Sequence, residues 1–118
     1  MKLFGWIKAT VSHQSKAMRL YRRGMLKAKL HDHEAALAHY TAVIEMADAP
    51  ANLRSMALYN RSLVYTAKED NPKAIQDLET LLDMPAAAPN VKTEARRKLV
   101  RMDRTADRLE QRARDSDA

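Results

Sequence analysis

The feature that most constrains this chain is an internal repeat. Displaced by 38 residues, Met18, Leu20, Tyr21, Arg23, Asp32, Ala36 and Met46 fall on Met56, Leu58, Tyr59, Arg61, Asp70, Ala74 and Met84. Gly24 falls on Ser62, Leu37 on Ile75, Val43 on Leu81 and Ile44 on Leu82. Asn52 and Ala57 fall in turn on Asn90 and Ala95, so a third, incomplete unit opens near residue 90. A period of this length means one supersecondary unit used twice. Such a unit cannot bury its apolar face alone and must stack on its neighbour.

The unit is helical. Two glycines and four prolines are too few for a turn-rich β sandwich or barrel, and runs of Ala, Leu, Met, Lys, Arg and Glu favour helix. At 118 residues, 46% hydrophobic and 31% charged, the chain suits one globular all-α domain. Apolar spacing and breakers predict about six helices. The first is amphipathic (1–14), with Leu3, Phe4, Ile7 and Val11 on one face and Trp6 beside them. Ser15 caps a second helix reaching Leu30; His31-Asp32-His33 makes a turn with Asp32 as N-cap, and a third helix follows from about His33 to Ala47. A fourth, capped by Asn52, runs to about Lys68, and a fifth opens with Asn71 as cap and Pro72 at its first position. Pro85 and Pro89 break the chain again before a final helix over 90–114, leaving 115–118 as a disordered tail.

That final helix carries a narrow seam of Val91, Ala95, Leu99, Met102, Ala106, Leu109 and Ala113, at spacings of three and four. Arg97, Arg101, Arg104, Arg108 and Arg112 flank it. Its first half is expected to cap a helical stack, and the half beyond Met102 to overhang and pair with another chain as a homo-oligomer.

In the second unit Leu58, Ser62, Tyr65, Ala74, Leu78 and Leu81 stand at the spacing of a known pattern; in the first, Leu20, Gly24, Ala36, Tyr40 and Val43 do. Each unit resembles a tetratricopeptide repeat (TPR), with repeat 1 over 17–50 and repeat 2 over 55–88. Lys27 stands where a Tyr is usual, and Leu78 replaces an aromatic. The resemblance implies a right-handed stack of antiparallel helical hairpins, an α-solenoid. In it a small residue at 24 or 62 lets the first helix close on Ala36 or Ala74. It also implies a concave groove lined by Met18, Tyr21, Met25, Ala28 and Lys29 of the first unit and by Met56, Tyr59, Leu63 and Thr66 of the second. Tyr offers a flat apolar face with a polar tip, and Met a pliable one. Lys29, Asn60 and Arg54 are candidates to hold carboxylates or amides of a bound peptide. The same Met-x-x-Tyr spacing also suits a stripe packed into the core. The clamp some co-chaperones of the family use for acidic C-terminal peptides needs Lys and Asn where Tyr21 and Met25 stand.

Charge suggests two further classes of partner. The net charge is +6, divided as +8 over 1–31, −5 over 32–90 and +3 over 91–118. Basic ends suit an anionic partner, and Lys16, Arg19, Arg22, Arg23, Lys27 and Lys29 with the terminal Arg ladder make nucleic acid the first alternative. The second is a membrane surface touched by Leu3, Phe4, Trp6 and Ile7 (residues 3–7) between Lys2 and Lys8. No stretch reaches the ~20 apolar residues of a bilayer span, and the apolar run before Lys8 is short for a signal peptide, so a cytoplasmic protein is expected. With no cysteine, thiol chemistry and cysteine zinc sites are excluded. His31, His33 and His39 lack further ligands at metal-binding spacing, and Ser62, His39 and Asp70 come without a nucleophile elbow or Gly-rich loop. The sequence reading is thus a scaffold or adaptor for protein–protein interaction that carries no cofactor or metal and is not an enzyme.

Overall fold

The computed structural model describes the backbone of residues 2–117 and the side chains of residues 16–117. It consists of five helices: α1 (Lys2–Lys29), α2 (His33–Glu45), α3 (Ala51–Ala67), α4 (Asn71–Leu82) and α5 (Pro89–Asp117). No strand occurs among the described residues.

The 38-residue period is written into the backbone. Helices α1 and α3 end in the same Schellman motif. In the first, His31 turns left-handed at φ 60° and Asp32 N–H reaches Lys27 O at 2.9 Å. In the second, Glu69 turns at φ 62° and Asp70 N–H reaches Tyr65 O at 2.8 Å. The next helix then starts from an aspartate cap in both units. Asp32 Oδ1 accepts from Ala35 N–H at 3.2 Å and Asp70 Oδ1 from Lys73 N–H at 3.3 Å. Beyond α2 and α4 the chain again turns alike, Ala49 N–H bonding Met46 O and Ala87 N–H bonding Met84 O.

Connections this short force α1 against α2 and α3 against α4 as antiparallel pairs. Each helix packs on the next, and α1 also meets α3 as α3 meets α5, whereas α2 and α4 do not touch. The odd helices therefore form one layer, with α2 and α4 seated over its two joints. Ala17, Tyr21, Ala36, Tyr40, Val43, Leu53 and Ala57 fill the first joint. Leu58, Leu78, Leu81 and Ala95 fill the second, with Val91, Leu99 and Met102 against them.

The small residue expected at position 24 faces a ring and not Ala36 alone. A Cβ on Gly24 would lie 2.6 Å from Cε1 of Tyr40 and 2.7 Å from its Cδ1. In the second unit the ring is replaced by Leu78, and Ser62 fits, fully buried, with its hydroxyl donating to Tyr59 O at 2.5 Å. A second difference is a polar staple. Arg61 donates to both carboxylate oxygens of Asp77 at 2.8 and 2.6 Å and to Thr41 Oγ1 at 3.0 Å, so α2, α3 and α4 share one buried knot. The bonds from Asp77 hold the guanidinium charged and raise its pKa above the ordinary value.

Several expectations are corrected. The described residues form five helices and not six, because α1 runs unbroken through Ser15. No Gly or Pro lies between Val11 and Lys16 to stop it, and a serine alone does not end a helix. Asp70, and not Asn71, caps α4, since the left-handed residue before it aims the aspartate at the free N–H groups. Pro50 precedes α3 and Asn52 is already helical, its Oδ1 accepting from Leu53 N–H at 2.9 Å. Residues 115–117 are not a loose tail: α5 continues to Asp117, supported by Gln111 bonding Asp115 and Ser116 bonding Ala113 O. The side chains of Leu3, Phe4, Trp6 and Ile7, proposed to touch a membrane, lie outside the described residues. No helix among the described residues is long and apolar enough to cross a membrane.

Candidate functional site

The odd-numbered helices turn equivalent positions to the side of their layer away from α2 and α4. At 100° per residue, Met18, Arg22, Met25 and Lys29 share one face of α1, with Met56, Asn60, Leu63 and Ala67 the matching set on α3. On α5 the set is Glu94, Lys98, Arg101 and Thr105. Met18, Met25 and Leu63 are 38%, 40% and 39% exposed, large apolar side chains left in water, of which Met25 and Leu63 are equivalent positions. The character changes along the layer, from methionine and leucine on α1 and α3 to lysine and arginine on α5.

Tyr21 is corrected. It was expected in the groove but is 6% exposed, in the first core, its ring 6.0 Å from that of Tyr40. Its hydroxyl accepts from Asn60 Nδ2 at 2.9 Å, which joins α1 to α3. Burial raises its pKa, outweighing the Asn60 bond, and pushes Tyr40 up to about 12. Met56 and Tyr59 are half-buried against the two cores, so of the anticipated set Met18, Met25, Leu63 and the exposed Lys29 are the outward members. Thr66 is half-buried, its hydroxyl donating to Ser62 O at 2.8 Å. Arg54 lies elsewhere, on a cleft of about 290 Å³ with Ile44, Leu58, Thr80 and Met84.

Two clefts open at the joints between odd helices, and they are the same place in successive units. The first, about 230 Å³, is lined by Ala28, His33, Asn60, Leu63, Val64 and Ala67 among others. The second, about 400 Å³, is lined by the residues 38 positions on, Thr66, Asn71, Lys98, Arg101, Met102 and Thr105, with Ala106 and Leu109 beyond. Where the first has an amide and a leucine, the second has two cations. Lys98 is only 8% exposed, yet it makes no hydrogen bond or ion pair among the described residues. Burial, with Arg101 beside it, pulls its pKa below the ordinary lysine value.

The repeat could have located this pair, because the shift that places Asn60 and Leu63 in the first cleft carries them onto Lys98 and Arg101. The seam instead directed attention to the neighbouring apolar positions. Beyond Met102 the seam is open: every described residue is exposed, Leu109 at 59%. Arg97, Arg101, Arg104, Arg108 and Arg112 are all exposed within an arc of roughly 80°. Arg101, Arg104 and Arg108 border a further shallow cleft on that side.

The catalytic grouping does not assemble. Ser62 is sealed in the core, bonded to a carbonyl, and Asp70 is engaged as a cap. His31 and His33 stand edge to face, 6.3 Å apart, at the α1–α2 turn. Among the described residues no three His, Asp or Glu come together to hold a metal ion. Comparison with protein-family models, curated proteins and solved structures finds no match for this chain.

Proposed function

We propose that this chain is a non-catalytic adaptor, a short TPR-like stack that binds a peptide or helix of another protein along the free face of α1, α3 and α5. The observation that carries the reading is the exposure of Met25 and its 38-residue equivalent Leu63, with Met18 two turns before Met25 on the same face of α1. Large apolar groups left exposed on one face favour a partner that covers them. The 38-residue backbone period and the contact of alternate helices support the TPR-like part of the reading.

The test is a photo-crosslinking residue placed at Leu63 and, as control, at Gln76, an exposed position on α4. Crosslinks to a recurrent partner from position 63, weakened by Met25→Glu, are the expected outcome. Equal capture from position 76 removes the groove.

The exposed arginine stripe of α5 favours a second reading, nucleic-acid binding through the basic ends. Contact with phosphates through that stripe makes affinity fall steeply with salt. The measurement is binding of a duplex and of single-stranded RNA at 50 and 200 mM salt; undetectable binding at the lower salt ends this reading. The open seam beyond Met102 is proposed to pair with that of a second copy. A truncation after Met102 that leaves the solution mass per particle at one chain, as in the intact protein, removes self-pairing.

A further inference from the structure

This inference rests on the adaptor reading and specifies what the partner must carry. We propose that the cleft between α3, the start of α4 and α5 seats an acidic side chain of the partner segment, held by Lys98 and Arg101, while apolar residues of the same segment cover Leu63 and Met25.

Lys98 is more than nine-tenths buried, lines the cleft and lacks a partner among the described residues. Its Nζ is not fully enclosed but opens to the cleft, and an ammonium that has lost part of its water without gaining a counter-charge is favoured by a carboxylate brought to it. The corresponding residue one unit earlier, Asn60, spends its amide on Tyr21, and no such bond forms between Lys98 and Tyr59. The first joint is thus satisfied by the chain itself and the second is left for a ligand. Around Lys98 the cleft offers Arg101 and the amide of Asn71, both able to donate to a carboxylate, while the hydroxyls of Thr66 and Thr105 already donate to Ser62 O and Arg101 O. Met102 and Leu109 floor its outer end. Asp103 borders the cleft on the other flank of α5, away from Lys98. An acidic residue flanked by apolar ones complements this surface in both charge and hydropathy.

The experiment selects phage-displayed random 12-residue peptides on the full chain, in a format that leaves no free C-terminal carboxylate. Winners are then measured as acetylated, amidated peptides by fluorescence polarisation. The expected winners share an Asp or Glu at fixed spacing from apolar residues. Lys98→Met and Arg101→Gln each weaken them by about tenfold or more. Changing the peptide's acid to its amide costs a similar factor, and that loss does not add to the Lys98→Met loss. Lys98→Met keeps a long helix-forming side chain, and circular dichroism verifies its fold; Arg101 is exposed and its variant leaves packing intact. Winners without an acid, or winners indifferent to both variants, overturn the carboxylate seat. If such winners are still lost in Leu63→Asp, the groove reading survives alone; if they are not, both fall. Failure to recover any binder overturns both. A 20-nucleotide oligo-uridine whose binding drops tenfold in Lys98→Met assigns the cleft to phosphate and likewise overturns the proposal.

Discussion

The two hairpins share a backbone and differ in what fastens them. In the first, Gly24 admits the Tyr40 ring, and Tyr21 reaches Asn60 across to α3. In the second, serine and leucine replace glycine and tyrosine, and Arg61, Asp77 and Thr41 form a polar knot. Arg23 occupies the place of Arg61 yet is exposed, because His39 stands where Asp77 would be and offers no carboxylate. The comparison teaches that equivalent positions specify the path of the chain, whereas the glue at each joint is chosen locally. One joint closes on itself, and the next leaves a cation uncompensated.

The largest expected break between the units is Asp77→Ala. It strands the Arg61 guanidinium and should cost roughly 3 kcal/mol in chemical denaturation. The matching change His39→Ala should cost under about 0.5 kcal/mol, since it removes no such pair; equal losses would refute the asymmetry. Gly24→Ser, which imports the second unit's residue, drives Oγ and Cβ into the Tyr40 ring and should cost about 2 kcal/mol. Combining it with Tyr40→Leu recreates the second unit's pair, so the double variant should be more stable than the sum of the single losses by about 1 kcal/mol or more. Strict additivity would show that the glycine is not there for the ring.

Where the units agree, the effects should agree too. His31→Gly and Glu69→Gly relieve left-handed residues at φ 60° and 62° and should each stabilise by about 0.5–1 kcal/mol. A sign difference between the two would mean that the turns are not equivalent. The smallest effect is read by an alkaline titration of Tyr40 followed at 295 nm. The unfolded phenol ionises near pH 10 and folded Tyr40 near about 12. Its stabilising contribution is therefore complete below pH 10 and disappears as pH rises through about 12. Ionisation of Tyr40 at pH 10, identified by its absence in Tyr40→Phe, would place that ring in water.

Much of the architecture was legible in the residues. Asp32 caps as expected and its equivalent Asp70 follows, because a short acid before a helix can only serve its free N–H groups. The interruption at Ser15 was misread, since serine prefers a cap but stops nothing by itself. The tetratricopeptide resemblance implies a groove position for Tyr21, which is buried instead: the Met-x-x-Tyr spacing says which face a residue joins and not which neighbour covers that face. Lys98 escaped for the converse reason: a lysine beside an apolar seam reads as surface until a neighbouring helix is packed over it.

Sequence alone settled the helical class, the 38-residue period and the need for one hairpin to lean on the next, since propensity and apolar spacing act over a few residues along the chain. Only packing decided which tyrosine is buried, which arginine finds its carboxylate and which lysine loses part of its water. Those outcomes depend on atoms brought close from distant parts of the chain, and desolvation is a property of that enclosure and not of the residue.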